Sequence, residues 1–306
     1  KPPRFSLGGI MRILSGKEPA AEIKKVCRQT VRNMDFQPAL AIIQVEGNPA
    51  SDRYVRNKMK DAEECGIKAE LFLYKQDVTQ QELLAHIQHL NTDQNYHGII
   101  VQLPLPKHLN EKILLDSINV QKDVDGLSVI SQGMLFTGRK GFAPCTPEGV
   151  IRLFDYYNVP LEGKSALVVG RSNLVGSPLA RLLQDRGATV TTYHTKTPEL
   201  FRQTDMPYYD ILCFCTGQGK AYSKYDLDNF NQNHQYYIAD VGIAFDEEGK
   251  MCGDFDPRDI WDTDPINYTP VPGGIGLMTR AVLMDHVVTA ACVQEAISKG
   301  MVSQWK

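Results

Sequence analysis

Apolar and polar residues follow two different rhythms over the first 150 residues. Three segments carry apolar residues every three or four positions, which predicts helices, and Ser51 is placed to cap the second of them. These segments are 17–34, 51–65 and 79–90. Three runs rich in apolar and β-branched residues predict buried strands at 39–46, 69–75 and 97–106. The alternating order predicts a parallel sheet with helices on both faces.

The second half of the chain repeats this alternation. Thr146 and Pro147 are typical of a helix start, with threonine as the cap and proline at the first helical position. Strands are predicted at 165–170, 188–194, 209–217 and 236–244, and helices at 146–158, 177–187 and 278–298. We expect the last helix to return to the first domain. The predicted domains are therefore residues 6–150 plus 279–306, and residues 151–278.

Composition narrows the class of protein. Hydrophobic residues make up 42% of the 306 residues and charged residues 23%, and the net charge is −3, so the basic surface of a nucleic-acid binder is not expected. The longest apolar runs are shorter than the ~20 residues of a membrane span, so no membrane segment is expected either. Seven scattered cysteines indicate reduced thiols. We expect a cytoplasmic protein. The basic start, KPPRFSLGGIMR, leaves the mitochondrial matrix open.

The segment VVGRSNLVGSP (168–178) is the strongest nucleotide-binding signal. A strand leads into Gly170 and a helix follows Gly176, which is the context of a phosphate-binding turn. The spacing departs from GxGxxG, because Ser172 replaces the second glycine and the last glycine is displaced by one residue. An ordinary tight turn is the alternative.

The following strand bears on the choice of cofactor. It ends in YHTKT, without the acidic residue that usually binds the ribose of NAD. Arg171, Thr195 and Lys196 are instead close to where a 2′-phosphate would lie, which favours NADP. The alternative is that the arginine and lysine are ordinary surface charges.

The first domain contains a second group of candidate residues. Tyr54 and Lys58 are four residues apart and share one helix face with Ser51, although spacing alone fits a solvent-exposed polar stripe equally well. Gln102 follows a predicted strand at the edge where parallel sheets bind ligands. Asp125 belongs to KDVDG, which is also an acceptable acidic turn. The histidines do not show zinc spacing, so we expect no metal.

The segment TPVPGGIGLMT (269–279) precedes the last helix and contains two prolines and three glycines. Proline fixes φ and glycine permits backbone shapes that other residues avoid. The segment is neither polar nor repetitive, so it is not typical of a disordered linker. It predicts a backbone that lies closely against a neighbour.

These segments together resemble a known family. In chain order they are SDRYVRNKMKDAEECGI, GIIVQLPLP, KDVDG, PCTPEG, VVGRSNLVGSP, ATVTTYHTKT, DVGI, GDFD and PVPGGIG. They are similar to the FolD family of methylenetetrahydrofolate dehydrogenase/methenyltetrahydrofolate cyclohydrolases, from about Leu14 to Ile297. The resemblance implies an α/β fold with an N-terminal folate-binding catalytic domain, a C-terminal Rossmann-type NADP-binding domain and a cleft between them. It also implies a homodimer formed through the Rossmann-type domain.

The resemblance also implies a role for each matching residue. Lys58 would be the catalytic lysine of the cyclohydrolase step, Tyr54 would stack on and position the folate, and Gln102 would hydrogen-bond the lysine. The residues that would bind the folate substrate are Asp125, at the pterin ring, with Pro272, Gly273 and Gly274. The residues that would bind NADP are Gly170, Arg171, Ser172, Gly176, Thr195, Thr216, Gly217 and Ile243.

Three positions depart from the family pattern. Leu277 stands where the family has proline in PVPGGVGPMT, and Ile275 stands where it has valine. Ala239 stands where an acidic residue is common. Two alternatives to the bifunctional enzyme therefore stay open: a dehydrogenase with weak or absent cyclohydrolase activity, and a catalytically inactive folate- or nucleotide-binding homologue.

Overall fold

The computed structural model describes residues 12–199, 205–227 and 234–301. The helices are α1 (Lys17–Arg32), α2 (Pro49–Cys65), α3 (Gln80–Thr92), α4 (Glu111–Asp116), α5 (Val129–Phe136), α6 (Cys145–Tyr156), α7 (Gly176–Asp185) and α8 (Ile275–Ser298). The strands are β1 (Arg12–Ile13), β2 (Ala39–Val45), β3 (Lys68–Tyr74), β4 (Gly98–Val101), β5 (Ser165–Val169), β6 (Thr189–Tyr193), β7 (Ile211–Phe214), β8 (Tyr222–Ser223), β9 (Tyr236–Asp240), β10 (Ala244–Phe245), β11 (Met251–Cys252), β12 (Phe255–Asp256) and β13 (Ile266–Tyr268). Short 3-10 helices cover Met206–Tyr208 and Lys224–Leu227.

The chain forms two compact units. We call the described residues of Ala20–Cys145 and from Arg280 onward the three-stranded unit, and the described residues up to Pro19 and within Thr146–Thr279 the six-stranded unit. The predicted start of the first domain, residue 6, lies outside the described residues.

The three-stranded unit is built around β2, which lies between β3 and β4 in a parallel sheet. Every residue of β2 is buried, which explains why this strand is a continuous apolar run. Its side chains alternate between two cores: Leu40 and Ile42 belong to one cluster, and Ala41 and Ile43 belong to the other.

Helix α8 packs its middle part into the core of the three-stranded unit. Val282, Met284 and Val287 lie in the same cluster as Leu40 and Ile42. Among the described residues, α8 is the one helix long and apolar enough to cross a membrane by composition, although apolar runs were expected to be too short. Since 61% of its most apolar window is buried inside the protein, its composition is that of a core helix.

The six-stranded unit has strand order β1-β13-β9-β7-β5-β6, with all neighbours parallel. Strands β1 and β13 were not predicted, because two or three residues are too few for a periodic pattern. Their pairing, extended by the Leu14 amide donating to the Tyr268 carbonyl oxygen (2.7 Å), places residues 12–19 in this unit. The predicted first domain included these residues, so its boundary differs here from that of the compact unit.

The predicted helix caps Ser51 and Thr146 are wrong. Helix α2 already begins at Pro49, and the Asn48 side chain accepts the amide hydrogen of Ser51 (3.2 Å), so asparagine caps the helix. Ser51 lies inside the first turn and donates its hydroxyl to the Leu103 carbonyl oxygen (3.3 Å). Helix α6 begins at Cys145, which places Thr146 inside its first turn.

Candidate active site

Gln102 leaves the sheet of the three-stranded unit at its carboxyl edge. Its amide donates to the Ile43 carbonyl oxygen (2.8 Å), which continues the pairing of β2 with β4 by one residue. Its side-chain nitrogen donates to the Leu103 carbonyl oxygen (2.7 Å), so the amide oxygen points away from this bond. That oxygen accepts a hydrogen bond from Lys58 Nζ (3.1 Å). Gln102, fixed at the edge of the sheet, thus positions Lys58 through its side-chain oxygen.

The polar face of α2 is buried. Lys58 and Asp61 have exposed fractions of only 9% and 6%, so the alternative of a solvent-exposed polar stripe does not hold. Asp61 lies 3.0 Å from Lys24 Nζ and 3.2 Å from Arg280 Nε, one turn beyond Lys58. A buried polar face requires partners, and this one has them.

Tyr54 lies one turn before Lys58 on the same helix and is half-buried. Burial raises the pKa of its phenol, while the positive charges of Arg280 and Arg53 act in the opposite direction. The net rise means that the phenol is protonated and neutral around neutral pH. A neutral aromatic ring with one hydroxyl donor can both stack on a flat ligand and hydrogen-bond to it.

The two aspartates of KDVDG have different environments. The Asp123 carboxylate accepts hydrogen bonds from the Ser128 amide (2.9 Å) and the Ser131 hydroxyl (2.6 Å), which orders the start of α5. The half-buried Asp125 carboxylate makes no hydrogen bond to any described residue. Asp125 is therefore the aspartate with free acceptor capacity, although no contact among the described residues joins it to Lys58 or Gln102.

A close approach of two backbone segments shapes the turn between β5 and α7. Gly170 has φ +117°, and a Cβ there would lie 2.7 Å from the Cys215 carbonyl oxygen. A Cβ on Gly176 would collide with the carbonyl group of Gly170. Both positions therefore require glycine.

Among the described residues at the start of α7, the Gly176 amide makes no hydrogen bond, whereas the Ser177 amide donates to the Ser172 carbonyl oxygen (3.0 Å) and Pro178 has no amide hydrogen. Val175, at the cap position, makes no side-chain cap, and the Ser172 hydroxyl accepts only the Val175 amide hydrogen (3.2 Å). An unpaired amide and the positive end of a helix dipole are what a phosphate binds. Arg171 lies exposed beside them, and Thr195 and Lys196 lie exposed beyond the end of β6.

Two further predicted cofactor positions lie together at the same sheet edge. Thr216 and Gly217 follow β7, which pairs with β5 and β9. A Cβ on Gly217 would lie 3.7 Å from the Ile243 carbonyl oxygen, so the loops after β7 and β9 are neighbours. Since β7 is also next to β5, the structure brings the predicted cofactor residues of these three loops to one edge.

The glycine-rich segment before α8 does lie closely against other backbone. Gly273 has φ +114°, and its carbonyl oxygen accepts the Gly16 amide hydrogen (2.8 Å). A Cβ on Gly274 would lie 2.6 Å from the Pro270 carbonyl oxygen. The expected close approach is thus made, within the six-stranded unit, by the N-terminal segment and by the preceding residues.

Family models match most of the chain. Residues 14–125 match the model of the tetrahydrofolate dehydrogenase/cyclohydrolase catalytic domain, and residues 144–295 match that of its NAD(P)-binding domain. The chain belongs to the tetrahydrofolate dehydrogenase/cyclohydrolase family. The predicted family and two-domain α/β fold are thereby confirmed.

Individual members of the family agree with this. The bifunctional protein FolD of Lysinibacillus sphaericus is 41% identical over 282 residues, which is 91% of this chain and 96% of the relative. The bifunctional FolD enzyme of Campylobacter jejuni, a crystal structure, has a TM-score of 0.85 and 39% identity, and the match covers 93% of this chain and 99% of that one. The Trypanosoma brucei FolD structure, described as a complex with NADP cofactor and inhibitor, has a TM-score of 0.84 and 29% identity, covering 94% and 99%.

The substituted position in the family's glycine-rich motif has a local structural consequence. The Leu277 amide donates to the Gly274 carbonyl oxygen (3.1 Å) in the first turn of α8. A proline, the residue that the resemblance implies at this position, could not make this bond.

A cavity of about 440 Å³ lies elsewhere in the three-stranded unit, between α2 and β3. Val55 and Met59 of α2 and Leu71 of β3 line it, and none of the predicted site residues does. Asp254 belongs to the segment GDFD, and its residue type and spacing alone predict no role for it. Its contacts with the loop after β7 depend on tertiary structure.

Proposed function

We propose that this protein oxidises 5,10-methylenetetrahydrofolate to 5,10-methenyltetrahydrofolate with NADP and hydrolyses the product to 10-formyltetrahydrofolate. The observation that carries the proposal is the hydrogen bond from Lys58 Nζ to Gln102 Oε1 (3.1 Å) on a buried helix face. Membership of the family supports both activities.

Lys58 is the proton-transfer group of the hydrolysis. Water adds to the methenyl carbon, the water proton must leave, and a proton must reach the ring nitrogen that departs when the ring opens. Nζ is a single atom that can accept and then return a proton. Gln102 holds it through a neutral oxygen, so one N–H bond is occupied and the rest of the amine faces the reaction.

Tyr54 and Asp125 bind the folate. The neutral phenol ring stacks on the flat ring system and keeps the one-carbon unit in register with Lys58. The free carboxylate of Asp125 accepts the 2-amino and ring N–H hydrogens of the pterin together, a charge-assisted pair. Pro272, Gly273 and Gly274 are the further substrate-binding residues that we propose.

The cofactor fits the carboxyl edge of the six-stranded unit. The glycine turn, where a Cβ would meet backbone, and the uncapped start of α7 suit a pyrophosphate. The cofactor residues we propose are Gly170, Arg171, Ser172, Gly176, Thr195, Thr216, Gly217 and Ile243. Bound NADP supplies the hydride acceptor for the dehydrogenase step. Arg171 would bind the 2′-phosphate, which favours NADP over NAD.

The proposed partners and location follow the family. We propose a homodimer formed through the six-stranded unit, in which β6 is the terminal strand of the described sheet. Sedimentation of the purified protein at several concentrations tests this. The bacterial relatives support a cytoplasmic location.

Replacing Lys58 by methionine tests the hydrolysis. Lys58→Met keeps much of the side-chain volume and removes the amine, so hydrolysis of methenyltetrahydrofolate should fall by at least ~10²-fold. Dehydrogenase activity should survive in part, because hydride transfer does not need the amine. Formation of NADPH and decay of methenyltetrahydrofolate are followed together in one spectroscopic assay.

Lys60→Met is the matched control, since Lys60 is an exposed lysine on the same helix. It should leave both activities near those of the unaltered protein. Near-normal hydrolysis by Lys58→Met would contradict the role of the lysine. Wild-type protein that oxidises methylenetetrahydrofolate but never hydrolyses the product would be a dehydrogenase alone, and protein with neither activity an inactive homologue.

A further inference from the structure

One buried carboxylate gathers four consecutive amides of the loop after β7. Asp254 Oδ2 accepts from the amides of Thr216 (2.6 Å) and Gly217 (3.0 Å). Its Oδ1 accepts from those of Gln218 (2.7 Å) and Gly219 (3.3 Å). The residue has an exposed fraction of 0%. Successive amides that converge on an anion form a concave nest, and here the anion is part of the protein.

The loop cannot take this shape by local preference alone. Gly217 and Gly219 have φ values of +68° and +64°, which other residues adopt only with strain. Four amides that point to one spot would be costly to bury without an acceptor. The carboxylate therefore selects one conformation from those that two glycines permit.

Asp254 is itself held in place. Its amide donates to Asp240 Oδ1 (2.9 Å), and the Phe255 amide donates to Asp240 Oδ2 (2.9 Å). A Cβ on Gly242 would collide with the Asp254 carboxylate, and a Cβ on Gly253 would collide with that of Asp240. The backbone around the two carboxylates leaves them no room to move.

The ordered loop lies at the proposed cofactor site. Cys215, which precedes it, makes the close approach to Gly170 in the turn before α7. Gly217 is next to Ile243 in the loop after β9. Both oxygens of Asp254 are already occupied by two amides each, so this residue acts through the loop and not by touching a ligand.

We infer that Asp254 is a positioning residue for the dinucleotide cofactor, because it holds residues 216–219 ready to receive it. This inference rests on the proposed assignment of Thr216 and Gly217 to the cofactor site. A preformed loop saves the ordering that binding would otherwise require, so its effect appears in affinity for the cofactor.

The first test compares two substitutions in the full-length protein. Asp254→Asn keeps the size and removes the charge, and its amide group cannot accept from all four donors. The KM for NADP should rise at least about tenfold, while hydrolysis of added 5,10-methenyltetrahydrofolate, assayed without dinucleotide, stays within about twofold. This split is the sign of a positioning role.

Asp210→Asn is the matched control. Asp210 also binds a backbone amide of the same sheet, that of Ser165 (2.8 Å), but at the amino end of β5. It should lower the melting temperature and leave the KM for NADP within about threefold. Equal effects of both substitutions on the KM for NADP would overturn the inference, because Asp254 would then act on stability alone.

Two further measurements apply even if Asp254→Asn folds poorly. In the unaltered protein without NADP, the amides of residues 216–219 should exchange hydrogen as slowly as those of β7, and fast exchange would overturn the inference. Gly217→Ala should raise the KM for NADP. An unchanged KM would overturn the assignment of the loop, and the inference with it. A raised KM for Gly217→Ala beside an unchanged KM for Asp254→Asn would overturn the inference alone.

Discussion

A methyl group added at Gly274 should disturb the proposed folate pocket through the backbone. The Cβ of Gly274→Ala would lie 2.6 Å from the Pro270 carbonyl oxygen and 3.0 Å from Thr269 Cβ. Backbone cannot turn aside as a side chain can, so overpacking should cost about 1–3 kcal/mol. The melting temperature of the six-stranded unit should then fall by roughly 2–12 °C. The KM for methylenetetrahydrofolate should rise more than about tenfold, since the displaced backbone misplaces the substrate.

Two neighbouring positions provide the comparison. Gly276→Ala is the matched control, because nothing lies within 4 Å of its Cβ position, and it should change neither quantity. Leu277→Pro removes the hydrogen bond from the Leu277 amide to the Gly274 carbonyl oxygen, a loss of about 0.5–1.5 kcal/mol. Proline offsets much of this by restricting the unfolded chain, about 0.4–1 kcal/mol. We therefore expect an intact fold and a change in folate KM below about tenfold.

Melting curves and steady-state kinetics of the three variants test the expected changes in melting temperature and in KM for methylenetetrahydrofolate. If Gly274→Ala behaves like Gly276→Ala, the glycine-rich segment does not act through close backbone approach. If Leu277→Pro abolishes turnover, the leucine makes a contact of its own with the substrate, and the pocket of this protein differs from that of its family.

Two predictions concern the six-stranded unit. Arg171→Ala should narrow the preference for NADP over NAD by about tenfold to a hundredfold, mostly through weaker NADP binding, because a charge-assisted contact to the 2′-phosphate is lost. The control Arg181→Ala breaks an exposed ion pair with Asp185 on α7 and should leave the preference for NADP unchanged. If the unaltered protein uses NAD as well as NADP, the proposed role of Arg171 is contradicted. Burial, with a further contribution from the negative charge of Asp254, raises the pKa of Asp240 to about 7. The folded protein therefore keeps a proton that the unfolded chain releases near pH 3.8, so the free energy of unfolding should fall as pH rises from about 4 to about 7, by at most about 4 kcal/mol. Denaturant unfolding at several pH values should show a smaller fall in the free energy of unfolding for Asp240→Asn than for the unaltered protein. An equal dependence of this free energy on pH in both proteins would contradict the raised pKa of Asp240.

The parts of the fold that carry a long periodic pattern could be predicted from sequence. The buried run of β2 and the amphipathic α3 span at least two turns or seven residues, so their patterns stand out from chance. The errors lie where the pattern is short or the boundary depends on one hydrogen bond. β1 has two residues, and the cap of α2 is decided by whether Asn48 or Ser51 turns its side chain to the first amides.

The candidate site was predictable to the level of residue type and spacing, and no further. One helical turn separates Tyr54 from Lys58, but spacing could not distinguish a buried face from a solvated one. The distinction comes from partners brought in by other elements, namely Gln102 at the end of β4 and Arg280 on α8. In the same way, only the tertiary structure separates the occupied carboxylate of Asp123 from the free one of Asp125.

The carboxylate of Asp254 shows why such partners escape a motif search. The amides that it binds lie 35 to 38 residues earlier in the chain, and backbone amides carry no residue signature. The sequence TGQG of the loop is compatible with several conformations, because glycine permits them at similar free energy. The carboxylate of Asp254, the residue directly before β12, stabilises one of these conformations. The Asp254 amide in turn donates a hydrogen bond to Asp240 at the end of β9. The shape of a cofactor loop is therefore encoded in residues outside it, whose substitution would change cofactor affinity while leaving the recognisable motif intact.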